Sequence, residues 1–438
     1  MAPYFVIFFV SIVLCGAGER MLRFNQFCAF LLFAASVAAP VVLAGARDFS
    51  VGTDIEVYGN YIFNASRNSG SLLSFLKKTE EIEPMYKALS WAVSRFTNNP
   101  HWMYFVTSLI ICACIMAGLY CYRRWCPILL GWTCFLFLFY GDTLNTMRQC
   151  LALAIVFWGI PLFMEKKYLA YAVLQGIAVL FHVTGVIAFL LVLIYLAMKL
   201  IPPRWVQFFF IFGCMGVILF YSPIVRIILQ TGLLPAKFSR YIAPGVAFAL
   251  NPTILRLPFL FPILFYYDRF CGFEPDGGLG GPSAASAAPS SISSAAANAV
   301  KDSGLGSDGA ALDGSMGSCG AAEDENGREP GKDPLTSPVT GMFIVIMLLL
   351  EICTVQLRSV KPALYRISFY FGCFRFPAYA RLVRILRRDN RAIAALVLVA
   401  YLCIVWYYQN VVQGNNQIFP YVYDPGWMRR FIPVMPAE

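Results

Sequence analysis

Charge is scarce in this chain. Of its 438 residues only 13% are Asp, Glu, Lys or Arg, about half the share of a soluble protein, where roughly a quarter are charged. Histidine occurs twice. No CxxC pair exists among the 14 cysteines. Cys15, Cys28, Cys112, Cys114, Cys134, Cys214, Cys353 and Cys403 lie inside apolar runs, where Cys serves as a small hydrophobe. Neither a zinc site nor a disulfide framework is therefore expected, and we assign no metal ligands and no cofactor. Phosphate-loop, nucleophile-elbow and metalloprotease motifs are also missing, as is any repeat period. Nothing basic precedes the first apolar stretch, Tyr4 to Ala17, whereas Arg20 and Arg23 follow it. A signal peptide has the opposite order, so the expectation is a retained, short first span that starts outside.

What is present is hydrocarbon. Hydrophobic residues make up 59% of the chain, and Phe alone occurs 38 times. One soluble core of this size cannot hide that much apolar surface. An ordinary cytosolic enzyme is excluded, and the class is an all-α, polytopic integral membrane protein. The net charge of +10 is unevenly spread. Cys271 to Thr340 holds ten acidic and three basic residues, a balance of −7 that leaves +17 for the remainder.

Apolar runs follow the first at Phe27–Leu43, Trp102–Cys121, Ile128–Tyr140, Leu151–Phe163, Tyr168–Met198, Val206–Tyr221, Val246–Tyr267, Met342–Val355, Ile367–Tyr379 and Ala392–Tyr408. Arg123-Arg124, Lys166-Lys167, Lys199 with Arg204, and Arg381 through Arg391 punctuate them, and basic turns belong on the cytoplasmic side. Lys167 and Lys199 then share a side, so two helices must fit into the 31 residues between them. Each is about 15 residues, or about 22 Å long, short of a ~30 Å hydrocarbon layer. The tip, Phe181-His182-Val183-Thr184-Gly185, must lie below the outer surface and line a wet cavity. The same logic places the polar break Gly141 to Gln149 on that outer side. The count is about twelve spans with both termini outside. Outer charges such as Arg148, Arg226, Lys237, Arg240, Arg358, Lys361 and Arg366 then fit anion binding.

Two segments do not span. Gly45 to Asn99 is a 55-residue outer loop, in which Met85, Leu89, Ala92, Val93 and Phe96 recur at helical spacing, as in a helix lying on a membrane surface. The second, residues 272–338, is Gly/Ala/Ser-rich and acidic, cannot bury enough to fold, and reads as a disordered cytoplasmic linker. The expected division is a transmembrane domain in two parts, 1–271 and 339–438, around that insert. The Asn64-Ala-Ser66 sequon is read as chance.

Outer-side polar clusters are the candidates for chemistry: Arg47-Asp48 through Asp54 and Tyr58; Glu83-Pro84; Asn145 with Arg148-Gln149; His182; and Asn415 to Tyr421. Each alone also reads as an anchor, cap or turn residue. Together they resemble a family. Ala46 through Tyr58 resembles the outer-loop signature of the EpsG family of exopolysaccharide polymerases. Glu83 through Ser90 resembles its next segment, Arg148 to Ala152 with Ala178 to His182 its central pattern, and Ile418-Phe-Pro-Tyr421 its closing motif. The insert departs from that pattern.

The resemblance implies a bacterial Wzy-like membrane glycosyltransferase, compatible with a GT-C-like architecture. It would join polyprenyl-diphosphate-linked oligosaccharides at the outer face of the cytoplasmic membrane, for exopolysaccharide, capsule or O-antigen synthesis. Its partners would be those lipid-linked sugars, the bilayer and chain-length regulators or export proteins, with no nucleic acid. A lipid diphosphate needs fixed cations, and the Arg fork suits it; Arg47, Arg148 and Arg366 are candidates. The acceptor hydroxyl needs a base, Asp54 first and His182 second. Asp48, Tyr58, Glu83, Asn145, Gln149 and Tyr421 would bind or orient substrate. A flippase or other transporter would also place arginines within the bundle, although transporters usually show repeated spans. A glycan ligase shares the chemistry.

Overall fold

The computed structural model describes residues 1–52, 54–78, 82–200, 205–206, 209, 213, 216, 250–273, 334–359 and 362–429. These are almost wholly helical, and among them the only β pairing is an isolated bridge between Arg47 and Tyr423. Two long apolar helices open the chain, α1 (Ala2–Met21) and α2 (Gln26–Gly45). The Asn25 side chain caps α2 by accepting from the Cys28 N–H at 3.0 Å, which satisfies a helix-end donor. The α1 helix is longer than the expected Tyr4–Ala17 run and carries Arg20 in its last turn.

The outer loop folds into a helical cap, α3 (Asn60–Arg67), α4 (Leu72–Lys78) and α5 (Pro84–Phe96). Pro84 starts α5, where its missing N–H costs nothing. Helix α5 buries its apolar stripe only in part, with Met85, Leu89 and Val93 against the core. Its buried side chains are Tyr86, Lys87, Ser90 and Ser94, and Ser90 meets Ser66 of α3. Phe96 on the apolar stripe is 75% exposed.

Next come α6 (His101–Cys121), α7 (Ile128–Leu138), α8 (Tyr140–Asn145), α9 (Met147–Met164), α10 (Tyr168–Phe181) and α11 (Ile187–Leu200). The 31-residue stretch does split at His182, into helices of 14 residues each, ~21 Å long. The α9 helix begins at Met147, earlier than the apolar run at Leu151, so Arg148 and Gln149 are in its first turn. The expected run Val246–Tyr267 is broken into α12 (Leu250–Ile254), α13 (Leu257–Phe265) and α14 (Tyr267–Cys271). Pro252, Pro258 and Pro262 punctuate this stretch, and each removes a helical N–H donor. The chain resumes with α15 (Pro338–Val355), α16 (Phe369–Gly372), α17 (Arg375–Ile385) and α18 (Arg388–Tyr407).

Among the described residues seven helices are long and apolar enough to cross a membrane, and Ile128–Leu138 and Tyr168–Phe181 are shorter apolar helices. The protein is thus an all-α polytopic membrane protein, with fewer full-length spans than the expected twelve among the described residues. Most of the expected run Val206–Tyr221 lies outside the described residues, as do Arg226, Lys237, Arg240 and Lys361 and nearly all of the insert.

Helix ends gather in two groups. At one end the Tyr4 hydroxyl donates to the Ile418 carbonyl at 2.9 Å, and the Asp424 N–H donates to Ala46 O at 2.9 Å. The α8–α9 break, the His182 turn and the Pro362–Ser368 turn join them there. At the other end Arg384 donates to Arg123 O and Arg381 to Trp125 O. Both flanks of the insert lie at this second, basic end, where a side chain on Gly341 would collide with Cys271 at 2.5 Å. The described flanks of the insert are therefore neighbours in the fold.

Candidate active site

The site grows from the places where helices stop early. Between α7 and α9 the chain turns through Gly141 to Thr146. The α9 N-terminus presents Arg148, whose Nη1 lies 2.7 Å from Glu83 Oε2. The Arg148 guanidinium also sits over the Tyr58 ring, 4.8 Å from its centroid. Glu83 is extended just before Pro84, as a residue preceding proline prefers, and this aims its carboxylate away from α5. Its other oxygen, Oε1, faces His182 Nε2 at 3.7 Å. His182 Nδ1 accepts from the Thr184 N–H at 3.2 Å and touches Thr184 Oγ1 at 2.6 Å. The neutral ring therefore carries its proton on Nε2, toward Glu83. Thr184 Oγ1 is in turn 3.0 Å from the Tyr370 hydroxyl. Burial lowers the His182 pKa, opposed by the Glu83 charge.

Asp54 connects this row to a second group. Its N–H donates to Asn145 Oδ1 at 3.3 Å. Burial raises its pKa, and the fields of Arg366 and Arg148 pull the other way. Asn145 Nδ2 reaches Asn416 Oδ1 at 3.3 Å, and Asn416 Nδ2 donates to Asp142 Oδ1 at 2.8 Å. Asn416 adopts a φ of 64°, a left-handed conformation that costs a non-glycine residue energy and often accompanies a functional site.

These amides form one wall of a pocket of about 210 Å³. Its floor is an ion triad: Arg256 Nε lies 2.6 Å from Glu351 Oε1, and Arg375 Nε lies 3.2 Å from Glu351 Oε2. A side chain on Gly372 would meet Glu351 at 2.9 Å, so glycine is what lets the triad close. Arg358 and Arg366 stand exposed at the rim, and among the described residues neither has a carboxylate partner. Gln149 Nε2 donates to Arg366 O at 2.8 Å, tying the rim to the α9 turn that carries Arg148. Enclosure in the pocket wall raises the Asp142 carboxyl to about 6, with the Asn416 hydrogen bond opposing it.

Three expected residues lie differently. Arg47 is 1% exposed, donates to Leu144 O at 2.7 Å and to Met147 Sδ at 3.5 Å, and stacks on Tyr104. It props the α8–α9 turn from beneath, beside Gly52. There φ is 95° and a side chain would strike Leu144 O at 2.5 Å. Tyr421 donates to Leu43 O at 2.9 Å and packs edge-on against Tyr4, so it holds the closing segment on the scaffold. Asp48 accepts from the Ser50 hydroxyl and N–H, which lower its pKa, and its own N–H donates to Val422 O. The opening and closing motifs are thus strapped together, with buried His101 bridging Gly45 O at 2.8 Å and Asp424 Oδ2 at 2.9 Å.

Sequence reading missed Arg256, Glu351, Tyr370 and Arg375 as site residues, and took Asp142 and Asn416 only as parts of the polar stretches 141–149 and 415–421. Glu351 and Arg375 carried a usable signal, because an ionisable residue inside an apolar run is by default a functional candidate. Among the described residues no group of three or more His, Cys, Asp or Glu could hold a metal ion.

A helical membrane protein that gathers arginines and carboxylates in a polar pocket at one end carries the mark of a functional site there, because ionisable groups in such a chain are costly to keep. Comparison with known families narrows this further. The EpsG family model matches residues 30–273, more than half of the chain, and the protein belongs to the EpsG family. That match covers three of the four resembling segments, including Arg47, Asp54, Glu83, Arg148 and His182; Ile418 to Tyr421 lies beyond it. No curated protein and no solved structure matches. Family membership assigns the chain a role as a glycosyltransferase-like polysaccharide polymerase.

Proposed function

We propose that this protein polymerises oligosaccharide repeat units carried on a polyprenyl diphosphate, at the outer face of a bacterial cytoplasmic membrane. The observation that carries this reading is the pocket lined by Asp142, Arg358 and Arg366, with the field of Arg366 reaching Asp54 and His182. Its end of the molecule is opposite the one carrying Arg123, Arg384 and Arg391, and basic turns favour the cytoplasm. The insert would then be cytoplasmic, and the pocket would face outward.

In the step itself, an acceptor hydroxyl oxygen attacks the anomeric carbon of the donor sugar. The bond from that carbon to the diphosphate oxygen breaks, and the lipid diphosphate leaves with the bonding electrons. The hydroxyl proton passes to a protein base. Arg366 and Arg358 neutralise the departing diphosphate, the bidentate task to which guanidinium is suited. Asp54 is the first choice of base. His182 is the second; its lone pair is on Nδ1, which Thr184 occupies, so it accepts a proton only once that contact turns away. Arg148 is already committed to Glu83, so its part is to fix that carboxylate and the Tyr58 ring around the acceptor sugar. Arg47 acts by positioning the turn.

Defined lipid-linked repeat units supplied to the purified protein test the activity. Growth into a ladder of longer products supports polymerisation; transfer to a different acceptor without ladder growth would make it a ligase. In cells lacking the protein, single repeat units on the outer leaflet favour the polymerase, and single units on the inner leaflet favour a flippase. Retention of high-molecular-weight polymer after Arg148→Ala combined with His182→Ala would sink the site assignment.

A further inference from the structure

The basic end carries a second concave feature, unrelated to the pocket. A groove of about 620 Å³ runs between α1, α7, α17 and α18. Its walls are apolar, with Leu129, Leu130, Val383 and Ala395, and its mouth holds Arg23, Arg123, Arg384 and Arg391. One carboxylate is present, that of Glu19, and it is already engaged. Its two oxygens accept the N–H groups of Ile128 and Leu129, each at 2.9 Å. Glu19 therefore caps the positive N-terminal end of α7 and compensates that dipole.

The arginines meet only neutral partners. Arg123 Nη1 donates to Tyr120 O at 3.0 Å and lies over the Tyr120 ring at 4.1 Å. Arg384 Nη1 donates to Arg123 O at 3.3 Å, and Arg391 Nε to Leu386 O at 2.9 Å. Each bond satisfies a donor and leaves the charge in place. Among the described residues none of the four has a carboxylate partner. Four like charges around one mouth repel one another, and an anion there relieves that repulsion.

We propose that this groove binds an anionic phospholipid, its phosphate oxygens held by Arg23, Arg123, Arg384 and Arg391 and an acyl chain lying along Leu129, Leu130, Val383 and Ala395. Hydrocarbon walls beneath a cationic mouth, where spans meet water, match that amphiphile at both of its ends. A zwitterionic lipid brings a cation of its own to the mouth and is disfavoured. The occupant would brace α7, which leads into the Asp142 turn, against α17, which begins at Arg375. The inference is independent of the polymerase reading.

The full-length protein in neutral detergent, titrated with phosphatidylglycerol or phosphatidylcholine and read by native mass spectrometry, tests it. Phosphatidylglycerol should bind at least about tenfold more tightly, since each near-surface Arg contributes about a factor of five. Arg23→Gln with Arg391→Gln should lower that preference by about a factor of five for each arginine removed. Arg388→Gln with Lys167→Gln removes the same charge at the same end outside the groove and should keep it. Leu130→Trp, which fills the apolar wall and spares every charge, should also weaken binding. Equal affinity for the two lipids in the unmodified protein, or equal loss in the two charge pairs, would overturn the assignment.

Discussion

Two glutamates in this chain each hold arginine, in opposite surroundings. The Glu351 side chain is 2% exposed and takes Arg256 and Arg375, themselves 4% and 9% exposed. Glu83 is 19% exposed and takes Arg148, with His182 at its second oxygen. Chemically the two groups are alike. Their energetics differ, because a buried charge that loses its partner has no water to turn to, whereas a half-buried one does. The first group therefore reads as the foundation of the pocket floor, and the second as a part that can move charge and proton during a reaction.

That contrast can be broken by experiment, and the largest effect should come from the buried side. Glu351→Gln strands two buried guanidinium groups and should cost about 3–5 kcal/mol. The expected outcome is a sharp fall in melting temperature and in the yield of monodisperse protein in detergent. A melting curve like that of the unmodified protein would remove the distinction.

Next in size is the loss of activity from the half-exposed side. Arg148→Ala combined with His182→Ala should reduce polymer formation by about 10²–10³-fold, the effect of removing one well-placed electrostatic group or more, while the protein still folds. If His182 is the base, the rate should also fall as pH drops below its lowered pKa, because protonation removes the acceptor lone pair.

Asp142 sits between the two regimes. Its carboxyl, raised to about 6, binds a proton more tightly in the folded chain than in the unfolded one. The folded state is therefore penalised progressively as pH rises from the unfolded value toward 6 and fully above it. Asp142→Asn should stabilise the protein by about 1–3 kcal/mol at pH 8 and by little at pH 4. Melting temperatures at the two pH values check this, and a smaller gain at pH 8 than at pH 4 would refute it. The smallest effect belongs to Glu83→Gln. Arg148 can turn to water and to the Tyr58 ring, so the stability change should stay under about 1 kcal/mol, readable by the same melts beside a clear loss of polymer.

Much of the fold was legible in the chain. The split at His182 followed from two basic turns with 31 residues between them, and the short α7 and polar α8 from Gly141 to Gln149 standing inside an apolar stretch. The cap helix α5 was legible in existence, but its orientation was not. The period marked Met85, Leu89 and Phe96 as one face, but Met85 and Leu89 are half-buried against the core, Phe96 is exposed, and the fully buried side chains are Tyr86, Lys87, Ser90 and Ser94. The proline-broken stretch from Leu250 to Cys271 read as one run because its composition is apolar throughout.

In the candidate site, Glu83, Arg148 and His182 were legible as separate polar interruptions of apolar sequence, but their contact was not. They are 65 and 34 residues apart in the chain, and nothing in local spacing encodes a 2.7 Å ion pair at that separation. Glu351 and Arg375 were hidden by apolar neighbours, whereas Asp142 stood in a visible polar break with its partners illegible. A single charge in an apolar window barely changes its mean hydropathy, although the cost of burying it demands a partner.

Sequence by itself determined the solvent this protein folds in, where its helices stop, and that its few charges lie at helix ends and breaks. Those follow from one-dimensional facts: hydrocarbon content, the distance a helix covers per residue, and the cost of an unpaired charge in lipid. Only the tertiary structure decided which charge meets which. Pairing depends on helices remote in sequence arriving side by side, and that arrangement leaves Arg47 buried beneath the turn while Arg366 and Arg358 stand open at the pocket rim.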